Sequence, residues 1–144
     1  MTYLFLYFAF GCLGITTEIW FTALSDFLHH RHWEAKNFNL RGHSYGWMFF
    51  IYGLAGILFH AFYGYIEQLS FLLRVLLYVV SIFSVEFIAG FLLDKLTGRC
   101  PWYYTSRWAI GGYIRLDYAP FWAVFGVLIE HAYLILRPWH FGVG

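Results

Sequence analysis

Long apolar stretches alternate with polar segments along this chain. Four of the stretches are close to the roughly 20 residues that a helix needs to cross a bilayer. None shows the apolar–polar alternation of a barrel strand, and lipid admits only helices or closed barrels. The pattern therefore predicts an all-α membrane protein with four transmembrane helices. The predicted spans run from Tyr3 to Leu24, Gly46 to Ile66, Phe71 to Leu93 and Ala119 to Leu136.

Composition supports a bilayer as the surroundings of the chain. Hydrophobic residues make up 61% of the sequence and charged residues 12%, about half the charged share of soluble domains. A soluble domain with this composition would expose large apolar patches and aggregate. The net charge is +1, without a basic block or tail, so we do not expect a nucleic-acid partner, which would need clustered Lys and Arg.

The basic residues predict an orientation. Two long polar loops, at about 25–45 and 94–118, separate the spans, whereas a very short turn around Glu67 and Gln68 joins the second span to the third. Because cytoplasmic loops are rich in Lys and Arg, we expect both long loops in the cytoplasm and both termini on the outer side. Seven of the nine basic residues fall in the long loops: Arg31, Lys36, Arg41, Lys95, Arg99, Arg107 and Arg115.

The two halves of the chain share spaced residues that suggest an internal duplication. We expect one transmembrane domain over 1–144, built from repeats at about 1–66 and 69–137 and forming a pseudo-two-fold bundle. Such parallel repeats are related by an axis along the membrane normal. The alternative is a chance alignment of two apolar hairpins. Glu18 and Asp26 precede Glu86 and Asp94 by 68 positions, and Tyr45 and Gly53 precede Tyr118 and Gly126 by 73.

The paired intramembrane carboxylates are the leading candidates for a site. An ionisable group inside a membrane costs free energy, so its presence suggests a function. Glu18 and Glu86 would lie at equal depth, with Asp26 and Asp94 towards the membrane edge. If the two glutamates meet, they would share a proton, bind a cation or pair with a base. Alternatively, each is a protonated carboxyl that holds helices together.

A second set of candidate residues lies in the second and fourth spans, nearer the outer side of the membrane. Glu130 and His131 of the fourth span, with His60 of the second, could form a proton relay or a divalent metal site. Alternatively, Glu130 neutralises Arg74 or Arg137. The histidines at 29, 30 and 32 have no later Cys or His at ligand spacing. We therefore predict neither a metal site nor a cofactor.

The second long loop mixes arginines with aromatic residues, a combination that could hold an anionic headgroup or a substrate phosphate. The alternative is a re-entrant lid packed over the end of the bundle. We expect Asp117, just before the fourth span, to act as an N-cap or counter-charge at the helix start. The headgroup candidates are Arg99, Trp102, Tyr104, Arg107 and Arg115.

Several short motifs resemble a known family. The second half contains Glu86-Phe87, then Gly98-Arg99-Cys100-Pro101-Trp102-Tyr103-Tyr104-Thr105 and Gly112-Tyr113-Ile114-Arg115-Leu116-Asp117-Tyr118; the first contains Phe21-Thr22-Ala23, Gly42-His43-Ser44 and Ile51-Tyr52-Gly53. Together they resemble the transmembrane protein 229 family and its bacterial relatives, membrane proteins named as ABC-transporter type IV. The resemblance implies a multi-pass membrane protein and settles no activity. The sequence contains no Walker phosphate loop.

Three classes of function follow from these observations. The first is transport or assistance to transport, with the paired glutamates binding a proton, a cation or a small cationic substrate. Four helices form a narrow bundle, so this class implies a homodimer or a membrane-complex partner. The second is an intramembrane enzyme acting on a lipid or isoprenoid, which the absence of a recognisable catalytic constellation disfavours. The third is a structural or partner-binding subunit.

Overall fold

The computed structural model describes residues 2–29 and 40–137. It contains four helices long and apolar enough to span a membrane, which confirms the predicted all-α membrane fold. The helices are α1 (Thr2–His29), α2 (Gly46–Ile66), α3 (Phe71–Thr97) and α4 (Ala119–Leu136). Two short strands, β1 (Ala109–Ile110) and β2 (Ile114–Arg115), and a 3-10 turn (Leu116–Tyr118) precede α4.

The chain forms two compact units, residues 1–61 and 62–144. The first unit contains α1 and most of α2. The second contains the last residues of α2, all of α3, both strands and α4. The predicted duplication and its pseudo-two-fold axis stay predictions.

Glycines let aromatic rings pack closely within the first unit. A Cβ at Gly14 of α1 would lie 2.2 Å from the ring of Tyr52 on α2, and one at Gly53 of α2 would lie 2.7 Å from the ring of Tyr7 on α1. Since lipid provides no hydrophobic drive between helices, close packing at small residues holds membrane helices together. Leu6 of α1 is buried, with 1% of its surface exposed.

The second unit has a similar contact between α3 and α4, and α3 ends sharply. A Cβ at Gly126 of α4 would lie 2.5 Å from Tyr78 of α3. Helix α3 ends at Thr97, and the capping Gly98 has a left-handed φ of 80° and an N–H that donates to the carbonyl of Asp94. The predicted third span stopped at Leu93, four residues too early, because hydropathy reports the apolar stretch and not the helix end. Asp94 therefore belongs to α3 and not to the loop.

Helix α1 likewise continues beyond the predicted end at Leu24 to His29, so Asp26 is helical. Each of the four spans has many large apolar side chains that are exposed at the protein surface. Leu72 and Leu96 of α3 are 78% and 80% exposed. Exposed leucine on this scale fits a surface covered by lipid rather than by water.

The second loop contains a hairpin that the sequence did not reveal. Strands β1 and β2 pair antiparallel around Gly111 and Gly112, with φ of 61° and 80°. Two residues per strand are too few for an alternating pattern to be visible. The prediction of Asp117 as an N-cap is wrong, since Tyr118 occupies that position and forms no side-chain cap.

Candidate functional site

Glu18 lies on α1, half-buried, and its carboxylate is bound by neutral hydroxyl groups. Oε2 accepts hydrogen bonds from Ser44 Oγ and Tyr52 OH, both at 3.0 Å. Ser44 lies in the segment that leads into α2, and Tyr52 lies on α2 itself. Hydroxyl groups both donate and accept, so they can serve either the carboxylate or the protonated acid.

The segment before α2 is fastened to α1 one turn further along. The backbone N–H of His43 donates to Thr22 Oγ1 at 2.9 Å, and that hydroxyl donates to the carbonyl of His43 at 3.0 Å. A Cβ at Gly42 would lie 1.9 Å from the backbone carbonyl oxygen of Ile19. Only glycine permits this approach, so the Gly42-His43-Ser44 segment brings the Ser44 hydroxyl to Glu18.

Glu86 lies on α3, and the following loop covers the same face of the helix. Tyr104 OH donates to Glu86 Oε1 at 3.3 Å, and Tyr113 OH donates to Asp94 Oδ2 at 2.9 Å. Gly90 lies between the two acids, where a Cβ would be 3.2 Å from the ring of Tyr113. Residues four apart lie on one helix face, so Glu86, Gly90 and Asp94 form one row beneath the loop.

The same spacing of residue types occurs on α1. Glu18, Thr22 and Asp26 follow each other at intervals of four, again with a small residue between two acids. Ser44 and the backbone of His43 cover the first two positions. Asp26 is exposed. Each unit thus has a glutamate that accepts a hydroxyl hydrogen bond on a row covered by the following polar segment.

The tyrosines of the loop are held as neutral donors. Burial raises the pKa of Tyr104, and the neighbouring Glu86 raises it further. The hydrogen bond to Asp94 raises the pKa of Tyr113. Both phenols therefore keep their protons at neutral pH and stay available as donors to the acids of α3.

Three of the predicted headgroup residues bind within the protein. Trp102 Nε1 donates to the carbonyl of Tyr113 at 3.2 Å, and Tyr104 contacts Glu86. Arg115 pairs with Asp117, which is the main reason that its pKa is raised, and its Nη1 donates to Tyr118 OH at 3.1 Å.

Two predicted headgroup residues, Arg99 and Arg107, are exposed. The guanidinium of Arg107 lies 5.2 Å from the ring centre of Trp108. Of the five candidates, these two are the arginines available to a ligand at the surface.

Glu130 is 3% exposed and binds a base. Arg74 Nη1 lies 2.7 Å from Glu130 Oε1, which also accepts from Tyr63 OH at 3.2 Å. Its neighbour His131 has Nδ1 at 2.8 Å from the carbonyl of Val127 in the same helix. The structure thus brings Glu130 together with Arg74, the neutralising partner considered above, within the second unit.

His60 belongs to the first unit, where its ring contacts that of Tyr3 edge to face at 5.4 Å between centres. Within residues 2–29 and 40–137, no three His, Cys, Asp or Glu side chains form a group that could hold a metal ion. His30, Arg31 and His32 lie outside the described residues.

Sequence reasoning found the acids of these sites and missed most of their hydroxyl partners. Thr22, Tyr52 and Tyr113 were not candidates, because a hydroxyl residue near an apolar run gives no distinctive pattern. In the sequence, Ser44 stands out only as part of the Gly42-His43-Ser44 motif. The glycine of that motif was the available signal, because its close approach to α1 brings the serine two positions later near the helix.

Fold and site together define a multi-pass α-helical membrane protein with hydroxyl-bound glutamates inside two of its spans. The chain belongs to the family described as Putative ABC-transporter type IV, whose family model matches residues 5–139. The match therefore covers residues of all four helices and includes Glu18 and Glu86. No solved structure matches the chain.

Proposed function

We propose that this protein transports a proton or small cation, or assists a transporter, and that Glu18 and Glu86 bind the ion. Support comes from the contrast between two kinds of intramembrane acid. Glu130 is neutralised by Arg74 at 2.7 Å, as expected of an acid that holds helices together. Glu18 instead accepts hydrogen bonds from two hydroxyls, and none of the ion pairs among the described residues includes it.

An acid in a span that is held by hydroxyl groups is suited to hold a proton or a cation, because an uncompensated charge there is costly. Hydroxyl groups suit such an acid, since they can rotate to serve the charged and the neutral form. Glu86, which accepts from Tyr104, is proposed as the corresponding acid of the second unit. The family name supports a transport context in general and names no substrate.

The test is ion flux into liposomes that contain the purified protein. We expect flux in the wild type and a loss of at least about tenfold, on the order of one missing charge-stabilising contact, in Glu18→Gln and Glu86→Gln. Glu67→Gln is the matched control, because Glu67 is an exposed acid in the short turn, paired with Arg137 at 3.5 Å. Flux that survives both substitutions would refute the proposed site.

Protonation of Glu18 can be measured without flux. Infrared difference spectra across a pH titration should contain a carboxyl C=O band that disappears in Glu18→Gln and persists in Glu67→Gln. This measurement also serves if the protein is an accessory subunit with no flux of its own. In that case we propose a membrane-complex partner, and a homodimer is the alternative assembly.

We also propose that the chain is related to the transmembrane protein 229 family and that both long loops are cytoplasmic. Sidedness is testable with a membrane-impermeant maleimide on whole cells, using single cysteines at two exposed positions. Gln68→Cys in the short turn should react from outside, and Thr105→Cys in the second loop only after permeabilisation. The reverse result would invert the orientation.

A further inference from the structure

An apolar groove runs along α3 beside the hairpin of the second unit. Its volume is about 440 Å³, and its lining includes Val80, Ser84 and Phe87 of α3 together with Ile114 and Leu116. The Ser84 hydroxyl donates to the carbonyl of Val80 within the helix at 2.8 Å. The hydroxyl in the lining is therefore already bonded, and the groove suits an apolar occupant.

The groove belongs to a helix that qualifies as a membrane span, Phe71–Thr97. The apolar molecule available to such a surface is the acyl chain of a lipid, since hydrocarbon surrounds the span. The groove is open at the surface, so an acyl chain lying in it would contact the apolar side chains that line it.

An exposed arginine lies close to the groove lining along the chain. The N–H of Leu116 donates to the carbonyl of Trp108 at 3.1 Å, so the backbone of Trp108, which follows Arg107, is next to the groove-lining Leu116. Among the residues that the structure describes, no carboxylate lies within ion-pair distance of Arg107, although the charge of Arg107 contributes, after that of Arg115, to lowering the pKa of Asp117. The guanidinium of Arg107 lies 5.2 Å from the ring centre of Trp108.

The other basic residue nearby is Arg115 of β2. Ile114 and Leu116 line the groove, and Arg115 between them does not. Arg115 is already neutralised by Asp117. The charge available at the groove is therefore that of Arg107.

We propose that this groove binds one anionic phospholipid, with an acyl chain along α3 and the phosphate at Arg107. An arginine offers a phosphate two parallel hydrogen bonds. Trp108 beside it would sit at headgroup depth, where indole rings are enriched. The inference does not depend on ion binding at Glu18 or Glu86.

The test is native mass spectrometry of the whole protein released from nanodiscs that contain equal amounts of phosphatidylglycerol and phosphatidylcholine. We expect one retained phosphatidylglycerol, preferred about fivefold, the factor that one basic residue near an anionic membrane contributes. Arg107→Gln should remove the preference. Arg137→Gln, an exposed arginine paired with Glu67 at 3.5 Å, should keep it.

The acyl chain is tested separately by filling the groove. Ser84→Phe places a ring in the groove and should abolish retention of the lipid. Ser81→Phe is the matched control, since Ser81 is exposed on the same helix and does not line the groove. A photoreactive phosphatidylglycerol should crosslink the wild type at residues 80–88 or 114–116, a measurement that needs no variant.

Three results would overturn the proposal. The first is equal retention of the two lipids by the wild type. The second is equal loss of lipid in the groove variant and its serine control, which would indicate a nonspecific lipid coat. The third is crosslinking spread over all four helices.

Discussion

The buried ion pair of the second unit yields the sharpest prediction of stability. Glu130→Gln removes one charge and keeps the shape of the side chain and an acceptor for Tyr63. The change leaves Arg74 without its counter-charge at 2.7 Å. We therefore expect a lower free energy of unfolding with the fold preserved.

The structure sets the size of the loss. Removing one partner of a buried pair costs about 3–5 kcal/mol, because the other charge is left buried and uncompensated. The side chain of Arg74 is 24% exposed and that of Glu130 4% exposed. Since the arginine that remains can be partly solvated, the lower end of the range applies, about 3 kcal/mol. In an Arg74→Met background the same change should cost less, with a coupling of about 2 kcal/mol between the two sites.

Unfolding by sodium dodecyl sulfate in mixed micelles, followed by far-ultraviolet circular dichroism, measures these differences. Glu67→Gln is the control, because its pair with Arg137 spans 3.5 Å and both side chains are nearly half exposed. Such a pair contributes less than about 1 kcal/mol. Equal losses at Glu130 and Glu67, or additive effects of the Glu130 and Arg74 substitutions, would refute the reasoning.

Three further predictions rest on close packing and burial. Gly42→Ala should lower the free energy of unfolding by about 1–3 kcal/mol, because its Cβ would clash with the α1 backbone. Gly46→Ala, with nothing within 4 Å, should change it by less than about 1 kcal/mol, and equal costs would contradict the close approach at Gly42. Burial raises the pKa of Tyr104 above the unfolded value of about 10, so the stability that this tyrosine contributes is complete below that pH and is lost as the pH rises. Tyr104→Phe should therefore make the free energy of unfolding fall less steeply with pH in the alkaline range, and an unchanged slope would contradict this. Burial likewise raises the pKa of the Cys100 thiol, so in a Cys12→Ser background maleimide should label the folded protein on the order of tenfold more slowly than the unfolded one; equal rates would show the thiol to be accessible.

The four spans were predictable because the bilayer imposes a length and a composition that few other structures share. Their ends were not. Helices α1 and α3 continue to His29 and Thr97, through polar residues that a helix tolerates once it leaves the hydrocarbon. The end of α3 depends on Gly98, which adopts a left-handed conformation. Hydropathy does not register that property.

Some residues of the candidate sites were likewise predictable from the sequence, and others were not. Glu18, Glu86 and Glu130 were conspicuous because acids are rare in apolar stretches, and Arg74 was one of two bases considered for Glu130. The hydroxyl donors were hidden, since Tyr52 contributes to an apolar pattern like any aromatic residue. The hydrogen bonds from the second loop to α3 depend on the hairpin, and no pattern in the sequence predicts that hairpin.

Two tyrosines fasten the second loop to α3 at separate heights. Tyr104 bonds to Glu86 and Tyr113 to Asp94, two helical turns or about 12 Å further along the axis. Arg107 lies between the two tyrosines in the sequence and is exposed, so trypsin can cleave the chain after it. A cut there leaves one tyrosine on each fragment while both acids remain on the upstream one, so the downstream fragment is still bound to α3. The nicked protein should therefore elute from a sizing column as a single particle, and halves expressed separately and divided after Arg107 should reassemble.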